Sequence, residues 1–155
     1  MTGNEVSPND ERVGIPRLLQ VRDVLTRGTL PEAVDTTLHP ARSSAYNWVL
    51  AHRAGEAANV EASATSAGID EPDDGFLAHT NHYVCDRMLP FEGDTEDAEH
   101  SNVRYGRARA LLAGEPPASI TMGRMRELLA DHETKPDSIC KHPEFGTPNS
   151  KTVFW

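Results

Sequence analysis

The segment Leu77-Ala78-His79-Thr80-Asn81-His82-Tyr83 sets an amide, a hydroxyl and two imidazoles in a stretch that otherwise reads as a buried strand. Burying such groups is unfavourable unless each finds a hydrogen-bond partner, which makes the segment a candidate site. Two downstream stretches carry similar chemistry, Asp131-His132 and Ser138-Ile139-Cys140-Lys141-His142. A side-chain amide such as that of Asn81 can donate its N–H to a carbonyl oxygen that is becoming an oxyanion, as acyl transfer requires. The competing role is an Asn that satisfies loop backbone groups, and spacing alone favours it. His79 and His82 form a His-x-x-His pair. On a strand, residues three apart point to opposite faces, so metal binding would need a turn, with Cys85, His132 or His142 completing the set. The expectation is therefore no metal and no cofactor, with both histidines bonded structurally.

Cys85 and Cys140 each have a histidine close by in sequence, but catalytic Cys–His partners are usually distant along the chain. Both are expected to be buried, unreactive thiols. Glu61, after Val60 at a strand end, reads as a rim carboxylate. Arg104, Arg107 and Arg109 read as a solvated helix face balanced by acidic neighbours. No cysteine, serine or threonine is an obvious processed N-terminal nucleophile.

These groups need elements to hold them. Residues 1–13 are polar and read as a flexible lead-in. Gly14-Ile15-Pro16-Arg17 then opens a helix whose apolar face would be Leu18, Leu19, Val21, Val24 and Leu25, ending at Gly28. Thr29-Leu30-Pro31-Glu32 is a capping-box pattern for a short second helix to about Leu38. Residues 44–52 read as a strand, 53–56 as a turn and 57–62 as its partner. Asp73-Asp74-Gly75 suggests another turn, with a third strand over 76–80. An acidic exposed loop is expected over 86–99. A helix capped by Ser101 should follow, with Val103, Ala108, Leu111 and Leu112 inward, then a helix from about Thr121 to Asp131 burying Met122, Met125, Leu128 and Leu129. Residues 151–155 look like the start of a strand.

At 155 residues the chain is one domain or a piece of one, with 37% hydrophobic and 25% charged residues. Acidic residues outnumber basic ones 24 to 15, a net charge of -9 that repels phosphate backbones and argues against nucleic acid. Two cysteines make no disulfide framework, no signal peptide is visible, and no apolar run approaches a membrane span. A cytoplasmic setting without membrane association is the expectation.

Taken in order, Gly14-Ile15-Pro16-Arg17 with Arg22 and Leu25, Gly55-Glu56 with Glu61, His79-Thr80-Asn81-His82, Asp131-His132, and Ser138-Ile139-Cys140-Lys141-His142 with Thr152 resemble one family. It is the acyl-coenzyme A:6-aminopenicillanate acyltransferase family, also called isopenicillin-N acyltransferase and classed with autoproteolytic cysteine peptidases. The resemblance runs from about Gly14 to Trp155. It implies an α+β, N-terminal-nucleophile hydrolase fold, two antiparallel sheets between helical layers. It further implies a cysteine freed by self-cleavage that attacks acyl groups with its own α-amino group as base. By the same resemblance Asn81 is the oxyanion-hole residue, supported in its motif by His79, Thr80 and His82.

The family's Gly-Cys-Thr nucleophile segment has no counterpart before Gly14, and Lys141 stands where arginine is common. Residues 14–155 thus read as the central and later portion of a cysteine acyltransferase or amidohydrolase, inactive alone. Its partners would be a small-molecule acyl donor, thioester or amide, and an amine or water acceptor. The alternatives are a non-catalytic remnant, one piece assembling with a separate nucleophile-bearing chain, or a metal-binding hydrolase using His79 and His82. A partial sheet is also expected to leave an apolar strand edge exposed, at residues 44–50 or 153–155.

Overall fold

Tyr46, Trp48 and Leu50 at alternating positions, with the β-branched Val49 between, make residues Tyr46–Ala51 a strand (β2), and Ala57–Ala62 (β3) returns beside it. Gly55, at φ 92°, takes the left-handed position that the connecting turn requires. The computed structural model describes residues 1–44, 46–72, 75–93 and 95–142, and its contacts divide the chain into two units, 1–98 and 99–155. In the first unit β1 (Thr2–Asn4), β2, β3 and β4 (Ala67–Asp70) form one antiparallel sheet in that order. Helices and an antiparallel sheet give the expected α+β class, compatible with an N-terminal-nucleophile fold.

Several expectations are corrected here. Residues 1–13 carry an edge strand: Gly3 lies opposite Trp48, and a Cβ there would fall 2.0 Å from the Tyr46 ring, so only glycine lets β1 come this close. Val6 is buried, and Asp10 accepts hydrogen bonds from Ser63, Ala64 and Thr65. Among the polar residues of 1–13, Asp10 thus binds the turn at residues 63–65. Because β1 pairs with Asn47, Trp48 and Val49 of β2, those residues are not an exposed sheet edge. The third partner in the sheet is β4, a short segment with Ala and Gly whose weak β-propensity hid it. Phe76 makes only an isolated bridge position, and residues 77–80 are irregular. Asp73 and Asp74 of the expected turn, and residues 151–155, lie outside the described residues.

Helix α1 (Arg17–Val24) and helix α2 (Leu30–Thr37) cover one sheet face. Val24, Trp48, Leu50 and Val60 form that core, with Val21, Leu30, Ala33, Val34 and Leu38 packed against it. The capping box at Thr29 and Glu32 is formed in both directions. In α1 the buried stripe is Gln20, Val21 and Val24, at helical spacing, so Leu18, Leu19 and Leu25 fall on the exposed side. A second small core joins Val6, Tyr83 and Met88 with Cys85 and Phe91. The segment expected as an exposed acidic loop therefore contains a fully buried methionine and a short 3₁₀ turn, Leu89–Phe91.

In the second unit, α3 (Thr95–Leu112) begins six residues before Ser101, in keeping with Glu96 and Asp97 in its first turn. Ser101 is fully buried within the helix, and Val103 is exposed. Helix α4 (Met122–Leu129) is capped by the Thr121 hydroxyl and buries only Leu128; Met122, Met125 and Leu129 are exposed. No helix among the described residues is long and apolar enough to cross a membrane.

Asp10 and Arg42 fasten the β3–β4 turn from two sides. Arg42 donates to the carbonyls of Ser63 at 2.5 Å and Ser66 at 2.9 Å, while Asp10 takes the turn's N–H and hydroxyl groups. Burial alone would raise the Asp10 pKa, but the bonds from Thr65, Ser63 and Ala64 outweigh it and hold the carboxyl below its ordinary 3.8. A depressed folded-state pKa means stabilisation that is present above 3.8 and lost as the pH falls through the lower folded value. Asp10→Asn should therefore cost about 1–3 kcal/mol near neutral pH, and the gap to the parent should close in acid below pH ~4. Urea melts at pH 7 and pH 3 check this. A gap that is the same at both values would contradict it.

Candidate active site

The sheet's second face is polar. Strand alternation turns Trp48, Leu50, Ala58, Val60 and Ala62 toward the helices and leaves Asn47, Asn59 and Glu61 on the other side. All three are buried, and Asn47 donates to Asn59 across the β2–β3 pair. Glu61 is the centre of this layer, 0% exposed, so its expected place at the rim is wrong. The reason is that β3 is flanked by strands on both sides and its polar face is covered by the chain around residues 79–85.

Glu61 organises that covering segment. Its Oε1 lies 2.8 Å from His79 Nε2 and accepts the Val84 N–H at 2.8 Å, while Oε2 accepts the Cys85 N–H at 3.1 Å. Since both oxygens accept backbone N–H groups, the His79 Nε2–H is the donor in the remaining contact. The His79 side chain is 1% exposed, and its other ring nitrogen, Nδ1, is buried with no hydrogen-bond partner among the described residues. Nearby, burial first and the Glu61 charge second raise the pKa of Asp70, opposed by an Asn59 hydrogen bond. Glu92 accepts the Tyr83 N–H at 2.9 Å, and the Tyr83 hydroxyl donates to the Ala62 carbonyl at 3.0 Å. Burial pushes the Tyr83 pKa upward, so it serves as a neutral strut.

The His79–His82 segment is thus a loop and not a strand. Its histidines are not turned to opposite faces: the two rings stack at 24° with centroids 6.4 Å apart. His82 is buried, with Nδ1 3.2 Å from the Thr80 hydroxyl. Asn81 is half-buried, and its Nδ2 donates to the Glu5 carbonyl at 3.0 Å. Cys85 is half-buried, with its sulfur against Gly68, where an added Cβ would stand 2.6 Å from Sγ. The recess lined by Val24, Leu30, Ala33 and Leu50 opens on the helix side of the sheet, away from Glu61.

The other histidine-bearing motifs meet within the second unit. Arg107 grips the Asp131 carboxylate with two bonds, at 3.1 and 2.6 Å, so the arginine group is not merely a solvated face. That bond, more than any other influence, lowers the Asp131 pKa. His132, Cys140 and His142 lie together, Cys140 being buried as expected. Sequence reading singled out Asn81, His79, Thr80 and His82 but missed Glu61 as the anchor. The odd-numbered alternation Asn47, Asn59, Glu61 was the available signal for a buried polar sheet face.

Residues 1–154 match the family model described as acyl-coenzyme A:6-aminopenicillanic acid acyl-transferase. No curated protein matches the sequence.

Proposed function

Because the chain belongs to the acyl-coenzyme A:6-aminopenicillanic acid acyl-transferase family, we propose that it serves acyl transfer or amide cleavage through a cysteine thioester. In this reading a thiolate attacks the carbonyl carbon of an acyl thioester or amide, and negative charge develops on the carbonyl oxygen. Asn81 donates its amide N–H to that oxygen. Collapse expels the thiol or amine leaving group with a proton, and the acyl group passes from the enzyme thioester to an amine or to water.

The observation that supports the reading is how Asn81 is held. Its amide already meets a carbonyl oxygen, that of Glu5, at 3.0 Å, within the range an oxyanion donor needs. Its neighbours in the loop are pinned by Glu61 and Glu92, which limits the freedom of the segment. The same contact with Glu5 favours a second reading, in which Asn81 only tethers the chain after β1 to the loop.

Neither Cys85 nor Cys140 is the nucleophile in this proposal. Cys85 is wedged against Gly68 and Met88, and neither cysteine has an α-amino group of its own to act as base. Incubating these 155 residues with an activated acyl thioester should leave the protein mass unchanged. An acyl adduct on Cys85 or Cys140 that turns over with added amine would overturn the assignment.

A further inference from the structure

We propose that His132, Cys140 and His142 form a binding site for a divalent cation of the zinc type. The three donor atoms lie within 4.8 Å of one another. His132 Nε2 is 2.9 Å from His142 Nε2, and Cys140 Sγ is 3.3 Å from that same His142 nitrogen. The two imidazole planes lie within 19° of parallel, with centroids 5.0 Å apart.

His142 meets both Cys140 and His132 through the same nitrogen, Nε2. Three electron-pair donors converge on one point, where a single cation can satisfy all of them. Two imidazole nitrogens and a thiolate are a borderline-soft set that suits zinc better than calcium or magnesium. In a tetrahedral zinc site the N···N separation is ~3.3 Å and N···S ~3.6 Å, from bonds of about 2.0 and 2.3 Å. His142 Nε2 need move from each of its two neighbours by only a few tenths of an ångström, whereas His132 and Cys140, within 4.8 Å of each other, close by at most about 1.2 Å.

The scaffold around them is built before any cation arrives. The Cys140 N–H donates to the Asp131 carbonyl at 3.0 Å, closing the loop that brings residue 140 beside residue 132. The Ser138 hydroxyl donates to the Cys140 carbonyl at 2.7 Å. Arg107 holds the Asp131 carboxylate with two bonds, which keeps the residue before His132 in place and leaves that carboxylate committed elsewhere. Asp137, between His100 at 2.8 Å and Lys141 at 3.1 Å, fixes the residue before His142. Such outer contacts orient ligands and tune a metal centre. On binding, the Cys140 thiol releases its proton and the thiolate becomes a ligand. This proposal departs from the expectation of no metal, which was argued from the spacing of His79 and His82. These do not belong to this cluster, and among the described residues it is the one grouping of three such ligands.

The test uses the full chain, purified without a histidine tag and stripped with a chelator, then titrated with cobalt(II) and zinc(II). One equivalent of cobalt should bind and give a thiolate-to-cobalt charge-transfer absorption, displaced by one equivalent of zinc. Cys140→Ser should abolish that absorption and weaken zinc by more than the ~100-fold that loss of an outer contact brings. His142→Ala should weaken zinc similarly, and Cys85→Ser should leave both readouts unchanged. Circular dichroism verifies that the variants are folded, and the spectrum of the parent chain decides the question without them. No thiolate-to-cobalt absorption from the folded parent overturns the site. So does an absorption that survives Cys140→Ser or disappears with Cys85→Ser.

Discussion

Replacing Asn81 by alanine is expected to lower kcat by roughly 10²–10³ in a form of the enzyme that turns over an acyl thioester, with little change in substrate binding. The size follows from removing one oriented donor from a site where charge appears only in the transition state. Because Asn81 also donates to the Glu5 carbonyl, the variant should lose about 1 kcal/mol of stability, too little to prevent folding. The two roles separate in measurement. Stability loss with near-normal kcat leaves Asn81 as a tether between the chain after β1 and its loop. A collapse of kcat with KM preserved supports the oxyanion role. His79→Ala and His82→Ala act in the other sense, through stability, because both rings are buried among fixed partners.

Glu61→Ala should be the most damaging single change to the fold, costing about 3–5 kcal/mol. Glu61 is fully buried and satisfies the His79 ring and the N–H groups of Val84 and Cys85 together. Truncation strands all three in a dry site, where each unsatisfied group costs about 1–3 kcal/mol before relaxation. A domain stable by about 5–15 kcal/mol has little reserve against that. Glu61→Gln should cost less, since one carbonyl oxygen still accepts. The Gln amide would nevertheless face the backbone N–H of Val84 or Cys85, donor against donor. Urea denaturation of the three proteins gives the order. If Glu61→Ala falls within 1 kcal/mol of the parent, this buried carboxylate is not what holds the His79–Cys85 segment.

The proposed acyl-transfer role and the proposed metal site fail independently. Asn81, His79 and Glu61 lie in the first unit, whereas His132, Cys140 and His142 lie in the second. A chain that binds no cobalt could still depend on Asn81. A chain whose Asn81 proves to be only a tether could still bind zinc.

What local chemistry dictates was legible in the sequence alone. The capping box at Thr29 and Glu32, the β2–β3 hairpin with its Gly55 turn, and helix α4 after Thr121 each depend on residues a few positions apart. The motif order pointed to the family that the match over residues 1–154 establishes. Tertiary structure decided what depends on distant partners. Asp10 became an anchor because residues 63–65 lie against it, more than fifty positions away. The His79–His82 segment reads as a strand from its composition, yet among the described residues no strand pairs with it, and Glu61 takes the His79 ring and the Val84 N–H instead. Apolar helical positions such as Leu18, Leu19 and Met122 carry the right residue type but point away from the core, because the packed face is chosen by the neighbouring elements. His132 and Cys140 are eight residues apart, a separation from which no geometry follows. The turn closed by the Asp131 carbonyl and the Cys140 N–H brings them within reach of one ion.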